Sequence, residues 1–266
     1  MKNGILDQLY ILAMKKTTIV SFAALIGILF CVDGCREPAK EETKMLILTG
    51  SNNHDWEKTT AVLESTYEES GLFSVDVTTK PDTLKFQDMD RYDVLLNNWN
   101  SWPDNDVRWP AEAEQGLLRF VEDGGGLLFF HSATSAFYKW PEFKSISTAA
   151  WIMDSTWHGP VSQVRVSVLD MEHPVTAGLT DFYIMDELWI NAERNESFRV
   201  LGTAVNTEGD TGEQPAILTG SYGKGRIFHT LLGHDETALK NAGFQTLMLR
   251  AAEWASTGQV SNTIAD

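Results

Sequence analysis

The feature that most constrains this chain is its alternation of short apolar runs with stretches of helical spacing. Lys44–Gly50 (KMLILTG) is an apolar run closed by glycine, and Asp55–Ser70 has helical spacing. Phe73–Thr79 (FSVDVTT) alternates as a strand does, and Tyr92–Trp99 (YDVLLNNW) is apolar again. Pro110–Glu122 reads as a helix with proline at its N1 position, where the missing N–H costs nothing. Gly124-Gly125-Gly126 closes that helix, and Leu127–Phe130 (LLFF) is a further apolar run. Strands apolar on both faces need cover on both faces. This β-α-β-β-α-β order therefore predicts an α/β fold, with a mostly parallel sheet between helical layers.

The second half is richer in strands. Val164–Leu169, Phe182–Ala192, Phe198–Val205 and Ala216–Thr219 read as strands. Tyr222–Arg226 (YGKGR) turns into Ile227–Leu232 as a hairpin, its glycines supplying positive φ. Thr237–Trp254 reads as one final amphipathic helix, followed by a polar tail. One domain is expected over residues 44–256, with 257–266 as the tail.

Composition removes several function classes. Aromatic residues make up 11% of the chain, too many for a disordered segment. The net charge of −16 lacks the basic stripe that phosphate binding needs, so nucleic acid is not an expected partner. The two cysteines, Cys31 and Cys35, both precede the domain. The domain can therefore have no cysteine nucleophile, disulfide framework or cysteine-ligated zinc.

Residues 1–34 read as an export signal. A basic stretch at Met14–Thr18 precedes the apolar run Ile19–Phe30, which is shorter than the ~20 residues of a membrane span. Val32-Asp33-Gly34-Cys35 resembles a bacterial lipobox, although Asp33 is unusual there and Val32 stands where Leu is commoner. Such a site implies cleavage before Cys35, lipid on that residue and an anchor in the cell envelope, on its periplasmic face or outer surface. A plain secretory signal and a transmembrane anchor are the alternatives. Residues 35–43 form a short polar tether, and Met14 is a second candidate start.

Ligands of open parallel sheets bind beyond the carboxyl ends of the strands, and the histidines fall there. His54 follows the first strand, His131 ends Leu127–Phe130, and His234 follows Ile227–Leu232. Asn97, Asn98 and Asn100 end the YDVLLNN run. His158 lies in an irregular stretch within reach of the same edge. His173 reads as a turn residue, and His229 as core or support. Glu187 is a candidate because Asp186-Glu187 interrupts an apolar strand, where unpaired carboxylates cost several kcal/mol. His54, His131, Glu187 and His234 are the catalytic candidates. His131, His158 and His234 are the candidate ligands of a divalent metal, Zn or Mn. Asn98, Trp99, Ser132 and Asp55 are the candidate substrate contacts. Trp102 and Trp151 add flat apolar faces suited to a sugar ring. For the tryptophans plain core packing is an equal alternative, and for Asp55 and Asp235 helix capping is the first reading.

Taken in order, the segments Asn53-His54-Asp55, Gly124–Ala133, Trp157-His158-Gly159, His173–Leu179, Asp186–Trp189, Tyr222–Phe228 and Leu232–Asp235 resemble the ThuA-like (trehalose utilization) family from Met45 to Trp254. The resemblance implies a flavodoxin-like α/β sandwich similar to class I glutamine amidotransferases. Those enzymes carry a cysteine at the strand-to-helix elbow, where this chain reads Phe130-His131-Ser132-Ala133. Glutaminase chemistry is thereby excluded. Ser132 beside His131 lacks the Gly-x-Ser-x-Gly elbow of a serine hydrolase. The family also implies a small carbohydrate, including 3-keto-glycosides, as partner. Two functions follow: a sugar-active lyase, isomerase or hydrolase using metal or His/Glu acid–base chemistry, and a surface-anchored sugar-binding protein without turnover.

Overall fold

Residues 42–104, 106–209 and 211–261 are described by a computed structural model. In chain order the elements are β1 (Thr43–Leu48), α1 (Trp56–Glu69), β2 (Phe73–Thr78), α2 (Phe86–Met89), β3 (Val94–Asn97), α3 (Ala111–Asp123), β4 (Gly126–Phe130), α4 (Phe143–Ile146), β5 (Ala149–Ala150) and β6 (Trp157–His158). They continue with β7 (Ser162–Val168), β8 (Phe182–Asp186), β9 (Trp189–Ile190), β10 (Glu193–Arg194), β11 (Arg199–Asn206), β12 (Gln214–Tyr222), β13 (Gly225–Thr230), α5 (Glu236–Leu239) and α6 (Ala242–Thr257). The export signal and the lipidation candidate Cys35 lie outside the described residues. No helix among the described residues is long and apolar enough to cross a membrane.

Among the described residues nine strands form one sheet in the order β2-β1-β3-β4-β13-β12-β11-β7-β8. From β2 to β13 every ladder is parallel. From β13 to β8 every ladder is antiparallel. The expected parallel sheet thus describes one half, and the sheet as a whole is mixed.

Alternation along the parallel strands builds two cores. Met45 and Ile47 of β1 join Leu63 and Tyr67 of α1 and Phe244 and Leu247 of α6. Leu46 and Leu48 point the other way, onto Leu117, Phe120 and Val121 of α3. Each such burial contributes roughly 1.5–3 kcal/mol. The Tyr67 hydroxyl donates to the Met248 carbonyl at 3.1 Å and ties α1 to α6.

Three boundaries differ from the sequence expectation. Pro110 is the N-cap of α3, not its first helical residue. The expected single helix over Thr237–Trp254 is two, because Asn241 accepts from the Phe244 N–H at 3.1 Å and starts α6 afresh. The expected strand Phe182–Ala192 ends at Asp186, whose carboxylate turns inward. The chain resumes as β9, which pairs with β6 outside the main sheet.

Strand directions position the site. β1, β3, β4 and β13 run the same way, so their carboxyl ends share one edge. Each antiparallel ladder then reverses direction, and β8, four ladders beyond β13, points the same way again. Its end meets the start of β7, with Ser162 opposite Asp186. Glu187 and His158 therefore reach the edge that carries His54, His131 and His234.

Candidate functional site

The first wall grows from the turn after β1. Gly50 has φ +104°, and a Cβ there would lie 2.2 Å from the Thr79 carbonyl oxygen, so only glycine fits. The chain then presents Asn52, whose Oδ1 accepts from the His54 backbone N–H at 3.0 Å and from Asn100 Nδ2 at 2.9 Å. The same oxygen lies 3.0 Å from His54 Nδ1. An amide oxygen only accepts, so His54 carries its proton on Nδ1 and leaves Nε2 with a lone pair. Ser132 Oγ, 3.0 Å from His54 Nδ1, also accepts from Asn100 Nδ2 at 2.8 Å.

His131 ends β4 at the elbow. Its φ is +46°, uncommon for a residue with a Cβ and a form of strain that clusters at functional sites. Its Nδ1 donates to the Leu231 carbonyl at 2.7 Å, which fixes the tautomer and leaves Nε2 deprotonated. Nε2 is buried and has no hydrogen-bond partner. His229 supports this turn from below. Its Nε2 donates to the His131 carbonyl at 3.2 Å, while its Nδ1 accepts from Thr148 Oγ1 at 2.6 Å.

The third wall is assembled by Asp186. This fully buried carboxylate accepts from the backbone N–H groups of Glu187 (2.8 Å), Gly233 (2.8 Å) and His234 (3.0 Å). Burial pushes its pKa up to about 7, against the pull of those three donors. The clamp sets Glu187 and His234 side by side. Glu187 Oε2 lies 3.1 Å from His158 Nδ1 and 3.4 Å from His234 Nδ1, and Oε1 lies 3.9 Å from His131 Nε2. His234 Nδ1, like His131 Nε2, is buried without a hydrogen-bond partner.

One ligand atom each from His54, His131, Glu187 and His234 lies within 4.8 Å of the others. Ligands ~2.1 Å from a tetrahedral ion lie ~3.4 Å from one another, so the widest pair would have to close by somewhat more than ~1 Å. Burial lowers the His54 pKa to about 4, with His234 and His158 adding to the effect, and drives that of His131 well below its ordinary value. Burial raises Glu187, which His234 and His158 partly offset. The His54 and His131 imidazoles are thus neutral at pH 7, the form that ligates. Two unpartnered buried nitrogens and two imidazoles whose tautomers are fixed by backbone or amide oxygens fit a divalent cation. The cavity above them is about 60 Å³, lined among others by Asn53, Trp102, Trp151, His158 and Trp189.

Residues 44–255 match the sequence model of the ThuA family, described as trehalose utilisation. The chain belongs to the ThuA family. A ThuA-like protein from Parabacteroides merdae is 31% identical, with a TM-score of 0.74 over 85% of this chain and 94% of that one. A ThuA-like protein from Bacteroides uniformis, at 20% identity and TM-score 0.63, covers 84% of this chain and 96% of its own. A cytoplasmic protein from Salmonella typhimurium shares the fold at 16% identity and TM-score 0.59, over 80% of this chain and 99% of that one. No curated protein matches the chain.

In this ThuA-family chain the catalytic candidates His54, His131, Glu187 and His234 come together. The atoms that converge are not those of the expected metal set His131, His158 and His234. His54 occupies the place given to His158, whose ring, with its side chain 43% exposed, instead meets the outer oxygen of Glu187. Ser132 lines the pocket. Trp99 does not: it packs in the core between Phe137 (5.2 Å, stacked) and Trp109 (5.1 Å, edge-on). Asn98 points back to Thr59 and Thr60 of α1. Asp55 caps α1 by accepting from the Lys58 N–H, and Asp235 caps α5. His173 is a turn residue, its Nδ1 accepting from the Val175 N–H. Sequence reading passed over Asn52 and assigned no role to Asn100, the pair that holds His54. The asparagine-rich ends of the first and third strands were their visible signal.

Proposed function

We propose that this ThuA-family chain is an exported, lipid-anchored protein of the cell envelope that acts on a sugar or 3-keto-glycoside. The reading rests above all on the orphaned lone pair of His131 Nε2, aimed into a cluster of imidazoles and one carboxylate. Binding a neutral sugar requires no such convergence. His54, His131 and His234 would hold the divalent cation, Zn or Mn, with one oxygen of Glu187 beside them. When bound, that cation supplies Lewis-acid polarisation of a keto oxygen. Glu187 takes a proton from the carbon beside the carbonyl, the step shared by isomerases and lyases. His158, whose Nδ1 lies 3.1 Å from Glu187 Oε2 and whose ring is open to solvent, exchanges that proton with water.

The cavity of about 60 Å³ is far below the ~300–1,000 Å³ of a site that swallows its ligand. Only the reacting end of a sugar enters, and the ring body rests on the Trp102–Trp151 pair, whose ring centroids lie 5.5 Å apart. That aromatic mouth also favours the second reading, a sugar-binding protein without turnover.

Elemental mass spectrometry and turnover assays on residues 36–266 separate the two. The proposal expects about one Zn or Mn per chain and turnover of a 3-keto-glucoside, both lost in His131→Ala and His234→Ala proteins that keep their circular dichroism. Metal-free protein that binds glycosides without turnover establishes the binding role and overturns the enzyme. Export and anchoring are tested in cells: labelled palmitate should enter the full chain, and none should enter Cys35→Ser.

A further inference from the structure

His173–Leu179 is one of the segments that carry the family resemblance, yet the histidine site makes no use of it. It belongs to the long connection from β7 to β8, residues 169–181. At the head of that connection stand Leu169 and Met171, 59% and 60% exposed. Among the described residues no other large apolar side chain is as open to solvent. Single exposed apolar residues are ordinary. Two held out by a braced loop are not.

The bracing runs along the loop. The Leu169 and Asp170 N–H groups donate to the Leu201 carbonyl at 2.9 and 3.2 Å. Asp170 Oδ1 accepts from the Glu172 and His173 N–H groups, both at 3.2 Å, and its carboxylate pairs with Arg199. Arg250, buried in α6, donates to the carbonyls of Pro174 (2.6 Å), Val175 (2.8 Å) and Ala177 (2.9 Å). The His173 ring meets Trp254 of α6, with 4.8 Å between centroids. Leu169 and Met171 are therefore presented in fixed positions, and docking them costs little further ordering.

The same end of α6 marks where the chain enters the domain. Ser256 and Thr257, just beyond Trp254, line a surface pocket together with Thr43 and Lys44 at the start of β1. Arg226, at the start of β13, donates to the Trp254 and Ser256 carbonyls at 2.9 and 2.8 Å. This helix end therefore lies at the amino ends of the parallel strands, opposite the histidines. α6 has 16 residues, a length of ~24 Å. Thr43 is eight residues after Cys35, a reach of at most ~29 Å.

We propose that Leu169 and Met171 dock on a phospholipid surface, which turns the histidine site of the anchored protein away from the membrane and toward soluble glycosides. The inference rests on the lipid-anchor reading above. Two apolar side chains alone hold a bilayer weakly, since even one whole acyl chain is a marginal anchor. So short a tether keeps the loop at high effective concentration over the lipid, and weak insertion then counts. Arg199 offsets the charge of Asp170 and leaves Glu172 as the exposed acid beside Met171. A zwitterionic surface therefore suits the loop better than an anionic one.

Peroxide footprinting of the mature protein, residues 35–266, on phosphatidylcholine vesicles tests this. Cys35, its one thiol, is coupled to a maleimide phospholipid, so an anchor is present whether or not cells add one. Relative to uncoupled protein, Met171 should oxidise at least ~5-fold more slowly, read by mass spectrometry, because its thioether has left water. Met153, 50% exposed and two residues from pocket-lining Trp151, should keep its rate. Leu169→Glu, a change at an exposed position, should return Met171 to the uncoupled rate while the circular dichroism stays the same. Equal Met171 oxidation with and without coupling, equal protection of Met153, or protection that survives Leu169→Glu would overturn the proposal. Protection of Met171 that rises with protein concentration in the absence of vesicles would also overturn it, by placing a second copy on the loop. Palmitate labelling of the full chain, read separately, decides the anchor itself.

Discussion

The two halves of the sheet reach the site by different routes. In the parallel half, β1, β4 and β13 each end at the shared edge and deliver one imidazole: His54, His131 and His234. Direction alone guarantees that meeting, since parallel strands end together. In the antiparallel half the direction alternates, so only some termini reach that edge. The end of β8 supplies Glu187, and the stretch before β7 supplies His158. One half therefore provides the imidazole nitrogens of the cluster, and the other provides the carboxylate and the exposed His158 beside it. Asp186 joins them, bonded to backbone on both sides of the seam.

If this division of labour holds, the largest effects belong to the parallel half. His131→Ala should lower metal affinity by more than ~100-fold, beyond what loss of a supporting residue does. His54→Ala should do the same, read by chelator competition. Equal metal affinity in wild type and His131→Ala would break the comparison. From the other half, Glu187→Gln keeps the shape but not the charge. It should cut turnover by ~10²–10⁴, as loss of a general base does, while metal affinity falls less than in His131→Ala. His158→Ala should show a smaller loss of turnover, because its exposed ring is replaceable by water.

The seam itself is tested by Asp186→Asn. An amide offers one accepting oxygen to three N–H groups, so at least one bond is lost, at roughly 1–3 kcal/mol in a denaturant titration. The pH dependence sharpens this. Folded His54 and His229 have pKa values lowered by burial from 6.5 to about 4, and His131 is lowered as well. Unfolded imidazoles bind protons that the folded ones refuse, so this stability is complete above pH 6.5 and drains as pH falls to 4. Asp186, raised from 3.8 to about 7, has the opposite sign: its contribution is present below pH 3.8 and lost as pH rises to 7. Three imidazoles outweigh it, so the melting temperature of metal-free protein should fall from pH 6.5 to 4.5. The fall should steepen in Asp186→Asn. The smallest effect is expected at an exposed cap beside His54: Asp55→Ala should lower stability slightly in a denaturant titration, as a lost helix cap does, with turnover little changed.

How legible each residue was follows from whether its role is local. Asp55, Asp235 and His173 act within a few residues of themselves, and their capping and turn roles could be read from the chain. His54, His131 and His234 were legible because an apolar run followed by a polar turn marks a parallel strand's end. Trp99 and Asn98 sit at the same kind of strand end, yet their side chains turn into the core and onto α1. Pattern cannot tell which way a side chain leaves a turn, because rotamer and neighbours decide it. The break after Asp186 and the fresh start of α6 at Asn241 were hidden for a related reason. In each, a side-chain hydrogen bond to backbone N–H redirects the chain, by which the apolar pattern alone is little affected.

By itself, then, the sequence determined the α/β alternation, the thiol-free domain and the three strand-end imidazoles, because strand period, residue type and chain order are local properties. Only the tertiary structure decided that His54 rather than His158 joins the cluster, and that Asn52 and Asn100 hold its ring. It also decided that Glu187 crosses the sheet to meet them. Those facts depend on how many ladders reverse between β13 and β8, and on a buried carboxylate paired with backbone from distant parts of the chain. Neither is written in any short stretch of residues.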